Sequence, residues 1–122
     1  IYERRSESVF NEPAIDQIEV PCTTIDNYCQ EHGIRRIDLL KIDVEGAENL
    51  VIAGATETLQ NEVVSNVLIE ITFCDLFQQR PEPLQLFGVM KDFGYHLTGV
   101  YHQQIRNNRL SWADVLWTRN PV

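Results

Sequence analysis

The stretch IDLLKIDVEGAE, residues 37–48, decides the fold. Its first part, residues 37–44, is apolar on both faces of an extended chain, which is typical of a central parallel strand. Gly46 permits a tight turn directly afterwards. An apolar stripe at helical spacing then predicts a helix over residues 46–59, in which Gly54 is unfavourable. A buried strand that leads into an amphipathic helix is the repeating unit of α/β proteins.

Toward the N-terminus, the sequence predicts a shorter unit of the same kind. Residues 17–21 alternate between apolar and polar positions, as a short strand would. Thr23 then begins a capping box, and Gly33 ends the helix that follows. Residues 1–16 are polar and aperiodic, so we expect an arm or a loop there and a folded unit over residues 17–122.

The C-terminal part of the sequence continues the alternation of strands and helices and then ends in two consecutive strands. Residues 67–72 predict a second apolar strand, and Pro83 begins a helix that ends at Gly94. Two strands follow at residues 95–102 and 112–118 with no helical pattern between them, so we expect them to pair antiparallel. The pattern β-α-β-α-β-α-β-β predicts an α/β layered sheet with helices on both faces.

The composition and net charge of the chain restrict the classes of molecule that this domain is expected to bind. The chain has 122 residues, 43% of them hydrophobic, which fits one compact domain. The 10 Lys and Arg residues face 18 Asp and Glu residues, and the net charge of −8 argues against nucleic acid as a partner. No apolar stretch approaches the roughly 20 residues of a membrane span. Three cysteines without a CxxC pair predict reduced thiols in a cytoplasmic protein.

Three carboxylates are the candidate functional residues. Asp43 stands at the end of the first apolar strand, Glu45 in the turn after it, and Glu70 near the end of the next strand. Open α/β sheets place ligands beyond the carboxyl ends of their strands, so we expect these side chains to converge on one rim. A structural interpretation stays open, in which Asp43 caps the following helix and Glu45 offsets its N-terminal partial charge. Lys41, inside the strand, is expected to pair with a carboxylate such as Asp38.

The same segment resembles a known family. The run LLKIDVEGAE, residues 39–48, is similar to the signature of the FkbM-type methyltransferases, and the resemblance extends from about residue 20 to residue 118. Its motif positions are Thr24-Ile25-Asp26, Asp38, residues 40–46 with Glu48, residues 51–55, and Glu70. The DVEG core is fairly specific because it stands in register with the upstream Thr-x-Asp and the downstream glutamate.

This resemblance implies a class I, Rossmann-like methyltransferase with strands in the order 3-2-1-4-5-7-6 and strand 7 antiparallel. Residues 37–43 would be strand 4, residues 67–72 strand 5, and the terminal hairpin strands 6 and 7. The glycine-rich loop after strand 1 and the acidic residue after strand 2 have no counterpart here, and the chain begins with Ile1. We therefore expect the C-terminal half of a methyltransferase domain, inactive alone, which pairs with its N-terminal half or self-associates.

The resemblance also implies a cofactor, S-adenosylmethionine, and roles for the candidate residues. Asp43 and Val44 would bind the cofactor, and Asp43, Glu45 and Glu70 would be catalytic in methyl transfer to a hydroxyl of a small-molecule or carbohydrate-like acceptor. Acidic ligands at strand ends would also suit Mg²⁺. Two alternatives stay open: a non-catalytic α/β binding or assembly module, and a carboxylate–Mg²⁺ enzyme that acts on phosphate esters.

Overall fold

The computed structural model describes residues 18–74 and 82–119, so the arm predicted at residues 1–16 lies outside the described residues. In these ranges the elements are α1 (Ile25–His32), β1 (Leu40–Ile42), α2 (Glu48–Ala53), α3 (Thr56–Gln60), β2 (Asn66–Thr72), α4 (Pro83–Asp92), β3 (His96–Arg106) and β4 (Arg109–Thr118). None of the described helices is long and apolar enough to cross a membrane.

The four strands form one mixed sheet in the order β1-β2-β4-β3. β1 is parallel to β2, whereas β4 runs antiparallel to both of its neighbours. An α/β fold and an antiparallel pairing of the last two strands are therefore confirmed. Both of these strands are longer than predicted because the turn between them is tight. It consists of Asn107 and Asn108, whose φ values of 50° and 59° suit a two-residue hairpin turn and are tolerated by asparagine.

The core lies on one face of this sheet. Alternate side chains of β2 are buried there together with their partners on β4: Val67 with Trp117, Ile69 with Val115, and Ile71 with Ala113. Helices α2, α3 and α4 add further members to the same cluster, namely Ile52, Leu59, Leu86 and Met90. The sequence predicts helices on both faces, but the buried side chains of these three helices join a single cluster. The β2 and β4 side chains of the opposite face are mostly half-buried.

The strand predicted over residues 37–44 is shorter in the structure. β1 has three residues, and Ile37 makes an isolated parallel bridge to Val64. Between Ile37 and β1, the backbone carbonyl of Asp38 accepts a hydrogen bond from Asn66 Nδ2 at 2.8 Å. A hydrogen bond from a side chain therefore takes the place of the backbone hydrogen bonds of a regular strand pair there. In the described sheet β1 is an edge strand, with β2 as its neighbour.

The N-terminal unit differs from its prediction in two respects. The strand predicted over residues 17–21 is absent from the part that the structure describes, because residues 18–24 have no regular structure and the side chains of Ile18 and Val20 are exposed. No described strand lies beside them to complete a ladder. Helix α1 begins after Thr24 rather than Thr23, because Thr24 is the N-cap and its hydroxyl accepts a hydrogen bond from the Asn27 amide at 3.1 Å.

The helix predicted over residues 46–59 is two short helices, α2 and α3, which are separated at Gly54. The break has a tertiary cause. The Asp26 amide donates a hydrogen bond to the Gly54 carbonyl at 2.9 Å. Thr24 also packs closely against Gly54, so that a β-carbon at that position would lie 3.1 Å from Thr24 Cβ. Because glycine has no side chain, the N-terminus of α1 can pack against the junction between the two helices.

Asp26 caps α3 from a different helix. Its carboxylate accepts hydrogen bonds from the amides of Glu57 and Thr58 at 3.1 and 2.8 Å and from the Thr58 hydroxyl at 2.6 Å. Burial alone would raise the pKa of Asp26, but these hydrogen bonds outweigh burial and hold the pKa below its ordinary value. The joint between α1 and α3 is therefore strongest when Asp26 is ionised.

Replacing Asp26 by alanine is expected to lower the free energy of unfolding near neutral pH by about 2 kcal/mol, the upper range for loss of an N-cap. Because folding lowers the pKa of Asp26, its stabilisation is present above the ordinary aspartate pKa of about 3.9 and is lost as the pH falls through the folded-state value. Urea titrations at neutral and acidic pH measure this, with Glu31→Ala on the exposed side of α1 as the control. An equal loss at both pH values would contradict a role for the charge.

Candidate active site

The turn after β1 carries the first two predicted site residues. Asp43 is the first residue after β1, and the chain then turns at Glu45 and Gly46, whose φ values are 54° and 103°. The φ of Gly46 is readily adopted by glycine alone, which explains the residue type there. A positive φ is uncommon for glutamate, and residues held in such conformations cluster at functional sites.

The side chain of Glu48 stabilises this turn. This side chain is buried, and its Oε1 accepts a hydrogen bond from the Gly46 amide at 2.9 Å. The N-cap of α2 is Ala47, without a capping hydrogen bond from a side chain. The structural interpretation in which Asp43 caps this helix is therefore wrong, because the Asp43 carboxylate pairs with Lys41 instead.

Three carboxylates lie in a row across three strands. Glu70 on β2 is directly opposite Asp114 on β4. Asp43 follows Ile42, whose partner on β2 is Ile69, so Asp43 comes next to Glu70 along the same line. Neighbouring strands are about 4.8 Å apart, close enough for each charge to act on the next. We call Asp43, Glu70 and Asp114 the acidic row; it lies on the face of the sheet opposite the core.

The pKa of Glu70 shows that these groups share one electrostatic environment. Burial raises the pKa of Glu70, the negative charges of Asp43, Asp114 and Glu45 raise it further, and Lys41 opposes them. The structure thus brings the three predicted carboxylates, at positions 43, 45 and 70, to one rim. Ionisable groups that are perturbed by both burial and specific charge partners are typical of functional sites.

Lys41 balances one charge of the row. Its Nζ lies 2.5 Å from Asp43 Oδ2, and both side chains are about half exposed. The expectation that Lys41 pairs with a carboxylate is therefore confirmed, but the partner is Asp43 rather than the suggested Asp38, which pairs with Arg36 at 2.7 Å. The hydrogen bond with Asp43 raises the pKa of Lys41 more than burial lowers it, and the charges of the acidic row add to the increase.

Two other predictions concern Val44 and Mg²⁺. Val44 is half-buried against the core, and its carbonyl accepts a hydrogen bond from the Ala47 amide at 3.3 Å. Its part in cofactor binding stays a prediction. In residues 18–74 and 82–119, no three His, Cys, Asp or Glu side chains are placed to hold a metal ion together. The acidic row is a line rather than a cage, so its geometry lends Mg²⁺ no support, and metal use stays a prediction.

Two residues beside this rim, Asp114 and His102, are not among the predicted site residues. The imidazole Nδ1 of His102 lies 2.7 Å from Asp114 Oδ2. Asp114 carries a signal that could have found it, because it is the charged residue inside the apolar run WADVLW, residues 112–117. His102 carries no such signal, since its approach to Asp114 depends on an irregularity of β3 that periodicity does not reveal.

Sequence comparisons identify the family. The family model described as the methyltransferase FkbM domain matches residues 3–97, which include Asp43, Glu45 and Glu70. The chain belongs to the FkbM methyltransferase family. The 2-O-methyltransferase NoeI of Sinorhizobium fredii (strain NBRC 101917 / NGR234) is 50% identical over 42 residues, which are 34% of this chain and 17% of that protein. Methyltransferase sdnD of Sordaria araneosa is 36% identical over 83 residues, 68% of this chain and 27% of that protein.

These matches cover less than a third of the length of either curated relative. No solved structure shows a significant match to the chain.

The segments that resemble the FkbM signature have two separate tasks in this structure. Residues 24–26 and the Gly54-Ala55 pair make the joint between α1 and α3. The segment 43–46, with Glu48, makes the turn at which the acidic row begins. The first pair of segments therefore stabilises the domain, and the second presents the candidate site residues of this FkbM domain.

Proposed function

We propose that this FkbM domain takes part in transferring the methyl group of S-adenosylmethionine to a hydroxyl oxygen of a small-molecule or carbohydrate-like acceptor. The observation that carries the proposal is the acidic row at the carboxyl ends of β1 and β2. Open α/β sheets bind their ligands at that end. The relative NoeI bears the name of a 2-O-methyltransferase, which supports a hydroxyl as the acceptor.

We assign β1, β2, β4 and β3 to strands 4, 5, 7 and 6 of a Rossmann-like class I sheet. The parallel pair β1–β2 and the antiparallel β4 between β2 and β3 support this assignment. In that arrangement, the N-terminal half of the domain pairs with the edge of β1 that faces away from β2. Unpaired edges promote association, so the chain alone is expected to self-associate.

The negative charge of the rim suits the two substrates. A sulfonium and an amino group are positively charged, and hydroxyl groups donate hydrogen bonds, so carboxylates attract both. The cofactor, when bound, supplies an electrophilic methyl group. Asp43, whose charge is paired with Lys41, is suited to hold the cofactor's amino group or to orient the acceptor hydroxyl. Glu45 and Glu70 lie beside it and would hold further hydroxyls of the acceptor.

The proposal is tested by methyl transfer with the intact protein. The protein is incubated with S-adenosylmethionine and a panel of monosaccharide and oligosaccharide glycosides, and mass spectrometry follows S-adenosylhomocysteine and the methylated acceptor. Transfer to a hydroxyl supports the proposal. Cofactor binding without transfer to any acceptor would favour the binding or assembly module. Hydrolysis of phosphate esters that depends on Mg²⁺ would favour the carboxylate–Mg²⁺ enzyme.

The 122-residue chain alone is expected to bind S-adenosylmethionine weakly. Its six glycines are too scattered to form the GxGxG loop of the cofactor site, so only part of the contacts remain. We expect a dissociation constant no better than about 1 mM, or about 4 kcal/mol of binding free energy. Isothermal titration calorimetry measures it, and micromolar affinity would contradict the assignment of the chain to half of a cofactor site.

A further inference from the structure

His102 and Asp114 form a histidine–carboxylate pair next to the acidic row. The two side chains meet at 2.7 Å between Nδ1 and Oδ2. The Asp114 side chain is 15% exposed and the His102 side chain 83% exposed. The carboxylate is therefore held in the sheet surface, while the imidazole stands above it and is open to an incoming molecule.

The pair forms because β3 is irregular at this point. Tyr101 is directly opposite Asp114, so both side chains point to the same face, and the next residue of a regular strand would point to the other face. The pairing shifts between Tyr101 and Gln104, and His102 between them has a φ of 47°. Bulges redirect side chains and are over-represented next to active sites. This one turns the His102 imidazole back over Asp114.

The hydrogen bond decides which ring nitrogen is available for chemistry. Because Asp114 accepts from Nδ1, the neutral imidazole carries its proton there and its lone pair on Nε2. The second carboxylate oxygen of Asp114, Oδ1, is buried and has no hydrogen-bond partner among the described residues. Oδ2 is thus the oxygen of Asp114 that holds the His102 ring, which is the arrangement of a base held by an orienting carboxylate.

We propose that His102 is the general base of methyl transfer and that Asp114 positions it, an inference that rests on the proposed function. The acceptor oxygen attacks the methyl carbon; the C–O bond forms as the C–S bond breaks, and the bonding pair stays on sulfur. The hydroxyl proton moves to Nε2 of His102, and water removes it after the products leave. Asp114 stabilises the imidazolium as it forms. Asp43, already paired with Lys41, keeps the positioning task.

The test compares variants of the intact protein with S-adenosylmethionine and the glycoside that it methylates. His102→Asn is the main variant, because asparagine tolerates a positive φ. His96→Asn is the matched control, since His96 is exposed on the same strand. We expect His102→Asn to lower kcat roughly 10²–10⁴-fold with little change in KM, whereas His96→Asn keeps the original kcat. Asp114→Asn is expected to lower kcat as well.

A second variant distinguishes the loss of the proton acceptor from a structural effect of the substitution. His102→Gly also tolerates the backbone conformation, and added imidazole is expected to restore part of its activity because it replaces the missing base. A loss of kcat in His102→Asn that imidazole does not relieve in His102→Gly would overturn the inference, as would unchanged kcat in both. No methyl transfer by the unchanged protein would instead overturn the proposed function, and this inference with it.

Discussion

Asp43→Asn in the intact protein is expected to lower kcat of methyl transfer by roughly 10²–10⁴-fold with the melting temperature nearly unchanged. Asparagine keeps the shape of the side chain but removes the charge at the point where β1 meets the turn. Without that charge, the cofactor's amino group or the acceptor hydroxyl loses its partner, and misplacement of a reacting group is costly. Stability changes little because the ion pair with Lys41 is half exposed.

Asp38→Asn is the matched control for this variant. Asp38 lies upstream of Asp43 in the same segment and also pairs with a cation, Arg36, but both of those side chains are more than three-quarters exposed. Its loss is expected to leave turnover intact. Steady-state kinetics and thermal melts of both variants decide the question. Full activity in Asp43→Asn would make Asp43 a structural residue and would leave Glu45 and Glu70 as the candidates.

Glu70→Gln is expected to lower turnover and to raise stability. Turnover should fall roughly 10²-fold, because Glu70 is the central member of the acidic row. Burial and the charges of Asp43, Asp114 and Glu45 raise the pKa of Glu70, so the folded state favours its neutral form. The stabilisation from Glu70 is therefore complete below the ordinary glutamate pKa of about 4.3 and is lost as the pH rises through the folded-state value. Glutamine stays neutral at every pH, so the variant does not lose this stabilisation as the pH rises.

The melting temperature of Glu70→Gln should accordingly exceed that of the unchanged protein near neutral pH, and the difference should disappear in acid. Glu57→Gln, an exposed glutamate on α3, is the control and should shift neither property. A residue that destabilises the fold and supports turnover is what a functional site is expected to contain. Destabilisation by Glu70→Gln near neutral pH would contradict the electrostatic account of the row.

The elements that local sequence determines were predictable. β2 and α4 follow from an apolar run and from a Pro at the first helical turn, and both formed near their expected bounds. The strand expected at residues 17–21 failed because alternation shows which face is apolar but not whether a neighbouring strand exists. The helix expected over residues 46–59 failed because a distant residue, Thr24, occupies the space beside Gly54.

The residues of the candidate site likewise divide into those that local sequence reveals and those that only the tertiary structure reveals. Asp43, Glu45 and Glu70 were found from sequence because a rule about strand ends places them at one rim. Asp114 belongs to the same row, but only the register of β4 against β2 reveals it. The orientation of His102 over Asp114 could not be predicted, because it depends on a shift in the pairing of β3 and on the positive φ of His102 itself.

A crystal structure of the intact protein with S-adenosylhomocysteine tests most directly whether methyl transfer takes place at the acidic row. The account predicts that the sulfur lies at the carboxyl end of β1 beside Asp43, on the face that carries Glu70 and Asp114. A product molecule in the groove between α1 and α3, which is lined by Cys29 and Thr58, would contradict the account.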